Sequence, residues 1–236
     1  MTADQTFLIL TRPAHAHAGF LTELSPATRS RLTVVSSPLM EIAKVEGVGP
    51  ALGVFSAVFT SANGVRFAPP GQGQAAFCVG RATTDAACKA GWMARCLGEN
   101  ADALIETLLQ TPPTGDLVHF SGQHQRGDIV ENLRAAGINA ARKIVYDQVL
   151  LDLSEAAQTV LVDNSRAIVP LFSPRTAAHF ARQTKPRSGL FLIALSEAVA
   201  SVLPENLQKS CSVARTPTAK AVATNIEKLL AKDGLA

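Results

Sequence analysis

The sequence is poor in the residues and motifs by which most cofactor enzymes are recognised. Its 236 residues include one tyrosine, one tryptophan and four cysteines, and no two cysteines have CxxC spacing. The phosphate-binding patterns GxGxxG and GxxxxGK[ST] do not occur, and neither do HExxH and GxSxG. These absences argue against a nucleotide cofactor, a metal centre and a serine-hydrolase mechanism. We therefore expect a protein that uses no cofactor and no metal.

Charge and hydropathy exclude further classes. The formal net charge is +3 and no block of five or more Lys and Arg residues occurs, so nucleic-acid binding is not expected. No apolar run approaches the ~18–20 residues of a membrane span. The amino-terminal MTADQTFLILTRP lacks the basic region and the long apolar region of a signal peptide. We expect a cytoplasmic protein with reduced thiols and no membrane contact.

Short apolar runs alternate with helical patterns along the chain. TFLIL (6–10), AVFTS (57–61), AAFCVG (75–80) and LVHFSG (117–122) are such runs. Strands separated by helices of about ten or more residues pair in parallel, and parallel strands covered on both faces are continuously apolar. The pattern predicts an α/β fold built on parallel sheets.

The two halves of the sequence resemble each other. VFTSANG matches LFSPRTA, which places Ser61 opposite Ser173, and CVGRATTDAA matches IALSEAVASV, which places Gly80 opposite Ser196. LILTRP (8–13) matches LVHFSG (117–122) in the same way. The nearly constant offset predicts two similar α/β domains that arose by duplication.

Polar residues gather at the turns that join strands to helices. Ligands of parallel sheets bind beyond the carboxyl ends of the strands, where helix amino termini offer free N–H groups to carboxylates and phosphates. A Ser, Thr or Asn there either caps the helix or binds a ligand. Arginines also flank these turns, Arg66 and Arg126 among them. An arginine there either binds a carboxylate or is a solvated surface charge. The candidate binding residues are Arg12, Thr60, Ser61, Asn63, Arg81, Thr83, Ser121, Ser173, Arg175 and Ser196.

Tyr146 is the sole tyrosine and lies in the extended segment ARKIVYDQVLLDL (141–153). Its ring could pack as an ordinary strand residue, or its phenol could belong to a site. The residues around it leave both interpretations open.

Six segments together resemble uroporphyrinogen-III synthase in order and spacing. They are FTSANGV (59–65), VGRATTDAA (79–87), FSGQHQRGDIVENLRAAG (120–137), VYD (145–147), LFSPRTAAHF (171–180) and TPT (216–218). The resemblance implies two chain-crossed domains joined by a two-stranded β linker. Residues 1–37 with 152–236 would form one domain, 45–142 the other, and 38–44 with 143–151 the hinge strands.

The resemblance also implies a reaction, in which a lyase cyclises the linear tetrapyrrole hydroxymethylbilane to uroporphyrinogen III, with inversion of ring D and loss of water. Tyr146 matches the family's cleft tyrosine and would assist departure of the hydroxyl group. Thr83 matches a family threonine near the cleft, Ser61 and Asn63 match the family's TS turn, and Ser173 with Pro174 matches its SP turn. The partners would be a polycarboxylate tetrapyrrole and, transiently, the enzyme that makes hydroxymethylbilane, and the protein would be a monomer.

One turn departs from the family pattern. ALSEAVA (194–200) lacks the threonine expected at this strand end, and Glu197 adds negative charge where carboxylates should bind. Two alternatives to the lyase stay open, of which only the paralogue depends on this turn. The chain could be a two-lobed module that binds an anion without catalysis, or a regulatory paralogue of the same fold.

Overall fold

The structure is a computed structural model that describes residues 5–46, 55–124, 127–163 and 165–233. The chain divides into two compact units. The first unit comprises Met1–Glu41 and Leu150–Ala236, and the second unit comprises Ile42–Val149.

The elements alternate between strands and helices. In chain order the strands are β1 (Thr6–Leu10), β2 (Leu32–Ser36), β3 (Met40–Lys44), β4 (Phe55–Phe59), β5 (Ala75–Cys78), β6 (Met93–Cys96), β7 (Asp116–Gly122), β8 (Ala140–Leu150), β9 (Arg166–Leu171), β10 (Leu190–Ala194) and β11 (Cys211–Val213). The helices are α1 (His17–Leu21), α2 (Pro26–Ser30), α3 (Ala62–Phe67), α4 (Arg81–Lys89), α5 (Ala101–Gln110), α6 (Ile129–Ala135), α7 (Glu155–Val162), α8 (Pro174–Gln183), α9 (Glu197–Ala200), α10 (Glu205–Gln208) and α11 (Ala219–Asp233).

Each unit contains one sheet, and the two sheets have the same strand order. In the described residues the first sheet runs β11-β10-β9-β1-β2, and the second runs β6-β5-β4-β7-β8 with β3 added at the edge. The pairs within these two five-strand series are parallel. The predicted α/β class is confirmed, and β1 occupies the position of β7, as the match of LILTRP with LVHFSG indicates.

Both faces of each sheet are covered by apolar side chains. In β1, Ile9 packs into one buried cluster, while Leu8 and Leu10 pack into the cluster on the opposite face. In β4, Val58 and Phe59 divide between two clusters in the same manner. Successive strand residues point to opposite faces, so strands buried on both sides must be apolar at every position. This explains the continuous apolar runs.

Two short edge strands escape a prediction based on apolar runs. Strands β6 (MARC) and β11 (CSV) are four and three residues long, and Met93 is 63% exposed. Helix α9 is also short and covers four residues. Edge strands are covered less than central ones and need no apolar run.

Strands β3 and β8 carry the chain across the boundaries of the two units, which fall at Glu41/Ile42 and Val149/Leu150. The two strands are neighbours in the second sheet. The Leu151 N–H donates to the Leu39 carbonyl and the Val45 N–H to the Val145 carbonyl. Residue numbers therefore rise along one strand as they fall along the other, so the pair is antiparallel.

Candidate active site

The candidate residues of the second unit lie along the carboxyl edge of its sheet, where the parallel strands end. Because β4, β5, β7 and β8 are parallel, their carboxyl ends share that edge. Thr60 and Ser61 follow β4, Arg81 follows β5, and Ser121 lies near the end of β7. Tyr146, although it lies inside β8, is registered beside Gly122 at the end of β7.

The ring of Tyr146 is packed in the core, and its hydroxyl group is hydrogen-bonded. Its side chain is 7% exposed, and its ring centroid lies 6.0 Å from that of Phe67. Its hydroxyl lies 3.2 Å from the Ser61 Oγ. The ring is therefore part of the core, while the phenol reaches the turn after β4. The two interpretations of this tyrosine describe the two ends of one side chain.

The Tyr146 ring fits only because residue 122 is glycine. A Cβ built on Gly122 would lie 2.5 Å from the Tyr146 Cε2 and 2.6 Å from its Cζ, closer than carbon atoms approach. The absence of a side chain on β7 thus makes the space that the ring occupies on β8.

A buried histidine lies beside this edge. His119 is 1% exposed, and its Nε2 lies 3.2 Å from the Thr60 Oγ1. Its Nδ1 is buried and has no hydrogen-bond partner among the residues that the structure describes. Burial, together with the nearby Arg142, lowers the pKa of His119 to about 4, and Glu131 acts in the opposite direction. His119 is therefore neutral at pH 7.

Arg142 secures the turn that follows β7. It donates from Nε to the Ser121 Oγ at 2.9 Å, and from Nη2 to the carbonyls of Gly122 (2.6 Å) and Gln123 (2.9 Å). Ser121 itself is 3% exposed. Its hydroxyl is thus engaged inside the protein, which makes Ser121 part of the support of the turn.

The other second-unit candidates follow the same strands. Asn63 is half-buried in the first turn of α3, Arg81 is exposed at the start of α4, and Thr83 is buried. Gly80 precedes α4 with φ +73°, a conformation that favours glycine. The predicted Arg126 lies outside the described residues.

In the first unit, an arginine stacks on an aromatic ring. The Arg12 guanidinium carbon lies 4.3 Å from the centroid of Phe172, which follows β9. Burial lowers the pKa of Arg12. Within the described ranges no carboxylate forms a salt bridge with it. A cation that is held on a ring, with no counter-ion among the described residues, is suited to an external carboxylate.

The remaining first-unit candidates lie at the starts of helices. Ser173 caps α8, its Oγ accepting from the Thr176 N–H at 3.2 Å, and the half-buried Arg175 lies in the first turn. Ser196 occupies the corresponding position before α9, but its side chain makes no capping bond.

Sequence reasoning missed three residues that shape this edge, namely His119, Gly122 and Arg142. A histidine inside an apolar run, LVHFSG, was the available signal for His119. The other two become visible only when β7 and β8 are placed in register.

Comparison with known proteins gives a family. The model of uroporphyrinogen-III synthase HemD matches residues 25–224. The chain belongs to the uroporphyrinogen-III synthase family. It is therefore an enzyme of porphyrin biosynthesis, and the substrate in this family is a tetrapyrrole.

A solved structure of uroporphyrinogen-III synthase shares the fold. The Helicobacter pylori enzyme aligns with a TM-score of 0.61 at 15% identity, over 95% of this chain and 100% of that one. A mutant of the Thermus thermophilus enzyme aligns with a TM-score of 0.46 at 13% identity, over 96% and 99%. A search of curated proteins finds no match.

The described residues contain neither a metal-binding cluster nor a membrane-spanning helix. Among the described residues, no group of three or more His, Cys, Asp and Glu side chains could hold a metal ion. Within the same residues, no helix has the length and apolar character needed to cross a membrane.

Proposed function

We propose that this chain is a lyase that cyclises hydroxymethylbilane to uroporphyrinogen III, with inversion of ring D and release of water. The observation that carries the proposal is the phenol of Tyr146, bonded to Ser61 at the carboxyl edge of a parallel sheet. The family match supports the substrate class.

The reaction breaks one C–O bond and, because ring D is inverted, also breaks one C–C bond of that ring and forms two. The terminal hydroxymethyl group of the substrate loses its oxygen as water, and the already substituted α-carbon of ring D attacks the carbon that is left. The bond from that α-carbon to its original bridge carbon breaks, and the bridge carbon joins the other α-carbon of ring D. The attacking pyrrole ring then loses a proton, which balances the proton gained by the departing hydroxyl group. A phenol is a hydrogen-bond donor, so Tyr146 can supply the proton or stabilise the departing oxygen.

The harder task is to hold a flexible polycarboxylate so that the inverted ring reacts. Positioning alone is worth large factors in rate. Cations such as Arg12 and the free N–H groups at helix starts can bind carboxylates without taking part in the chemistry. We therefore propose the predicted turn residues, Thr60, Asn63, Arg81, Thr83, Ser173, Arg175 and Ser196 among them, as binding groups and Tyr146 as the residue that assists the chemistry.

The test supplies enzymatically made hydroxymethylbilane and separates the uroporphyrinogen isomers after oxidation. We expect the type III isomer. Formation of the type I isomer alone, the product of spontaneous closure, would refute the proposal. Tyr146→Phe should lower kcat, by no more than about 10⁴-fold, while the circular dichroism spectrum is unchanged.

A regulatory paralogue is the second candidate, because the turn at Ser196 lacks a capping bond and Glu197 is exposed in its first turn. Such a protein would bind the tetrapyrrole without converting it. The same assay, with binding measured alongside, separates the two functions.

A further inference from the structure

We infer that Ser61 is a positioning residue, whose hydroxyl fixes the direction of the Tyr146 O–H rather than binding substrate. The inference rests on the proposed function, in which Tyr146 assists the loss of water. It reassigns a residue that the turn pattern marks as a substrate ligand.

The Ser61 hydroxyl has two partners inside the protein. Its oxygen accepts the Gly64 N–H at 3.2 Å, the capping bond of α3, and lies 3.2 Å from the Tyr146 hydroxyl. A serine hydroxyl offers one hydrogen and two lone pairs. When its hydrogen points to the Tyr146 oxygen, one lone pair remains, and the phenol retains its own hydrogen for a third group.

The phenol can change direction only by turning its O–H bond, because its ring is confined. Gly122 is registered beside Tyr146, and any Cβ there would overlap the ring. Phe67 packs against the ring at 6.0 Å between centroids. The bond to Ser61 therefore sets which way the phenolic hydrogen points.

Two orientations of this bond have opposite consequences. If Tyr146 donates to Ser61, its hydrogen is directed into the protein and is unavailable to a substrate. If Ser61 donates to Tyr146, the phenolic hydrogen is free and the phenolate is stabilised. Only the second orientation is compatible with proton donation to the departing hydroxyl group.

The experiment compares Ser61→Ala, Tyr146→Phe and the double variant with the wild type. We expect Ser61→Ala to lower kcat by about fivefold to tenfold, the effect of one hydrogen bond, with little change in KM. Because Ser61 acts through Tyr146, the double variant should be no slower than Tyr146→Phe. Multiplied effects, or a raised KM with unchanged kcat, would overturn the inference.

Ser25→Ala is the matched control for the lost helix cap. Ser25 caps α2 and accepts the Thr28 N–H at 3.2 Å, the same distance as in the Ser61 cap, and it is exposed. It should lose comparable stability and keep full kcat. An equal loss of kcat in Ser25→Ala would assign the effect of Ser61 to the cap.

A second readout needs no substrate. Tyr146 is the only tyrosine, so the tyrosine bands of the Raman spectrum report on the hydrogen bonding of this phenol alone. Ser61→Ala should change those bands, because the phenol loses the contact with the serine hydroxyl, and Ser25→Ala should leave them unchanged. Unchanged bands in Ser61→Ala refute the inference even if the protein makes type III isomer, whereas exclusive type I product refutes the proposed function whatever the bands show.

Discussion

Corresponding turns of the two units share a cap but differ in what else they hold. Ser61 and Ser173 both accept an N–H at 3.2 Å, from Gly64 and Thr176 respectively. The Ser173 hydroxyl otherwise contacts the Thr176 side chain at 2.7 Å, within its own turn. The Ser61 hydroxyl instead reaches Tyr146, two strands away in the sheet. The cap is the shared scaffold, and the contact with a phenol is an addition of the second unit.

The interiors of the two sheets also differ, and again the second unit has the additional polar group. Where the first unit has Leu10, fully buried in an apolar cluster, the second unit has His119, buried with an unpartnered Nδ1. The cations differ too, because Arg12 stacks on Phe172 while Arg142 is hydrogen-bonded into a turn. A buried polar group destabilises unless it is satisfied. At this strand position the second unit carries such a group and the first unit does not, although the first unit has buried polar atoms without a partner elsewhere in its described residues, Gln183 Nε2 and Arg187 Nε among them.

The largest expected effect follows from filling the space beside the phenol. Gly122→Ala places a Cβ about 2.5 Å from the Tyr146 ring, so the ring must move. We expect destabilisation of about 1–3 kcal/mol, the usual range for overpacking, and a loss of kcat at least as large as in Tyr146→Phe. Chemical denaturation and the isomer assay measure both.

Gly19→Ala is the control for this glycine, since a Cβ there would meet nothing within 4 Å. It should leave kcat unchanged and stability equal or higher. A fully active Gly122→Ala protein would show that the phenol does not need its position.

The buried histidine should make stability depend on pH. The pKa of His119 is lowered to about 4 in the folded protein, and the unfolded chain has the ordinary value of 6.5. Above that value both states are neutral, and as pH falls towards about 4 only the unfolded chain binds the proton. The fold should therefore lose about 3 kcal/mol over this interval.

The variant that tests this pH dependence is His119→Leu, because the first unit has a leucine at the corresponding position. In His119→Leu the difference in unfolding free energy between about pH 7 and about pH 4.5 should be smaller than in the wild type, since carboxylates contribute equally to both proteins. Identical pH profiles would contradict the assigned neutral state.

Substitutions of Arg12 and Arg142 should have different effects, one on substrate binding and the other on stability. Arg12→Gln should raise KM about tenfold, as for the loss of one charged contact, with kcat unchanged. Arg142→Gln should instead destabilise the protein, since three acceptors lose their donor. Steady-state kinetics and denaturation distinguish the cases, with the exposed Arg29→Gln of the first unit as control. An unchanged KM in Arg12→Gln would argue against carboxylate binding there.

The sequence predicts the α/β class and the repeat, because two-sided burial forces apolar runs such as those around Ile9 and Val58. It also marks Tyr146 as unusual. It does not predict the contacts of that phenol, since Ser61 and Gly122 approach it only through strand pairing across the sheet. Nor does it predict Arg142, because a cation in an extended segment has no local pattern that distinguishes support from solvation.

The smallest expected effect tests the turn that departs from the family pattern. Ser173→Ala should destabilise by about 1 kcal/mol through loss of its cap. Ser196→Ala should change stability by less than about 0.5 kcal/mol, because that side chain makes no capping bond. Thermal unfolding compares the two variants, and equal losses would contradict the difference between the turns. Since Ser196 has no capping role, a raised KM in Ser196→Ala could come only from a lost substrate contact, whereas an unchanged KM would remove Ser196 from the binding groups.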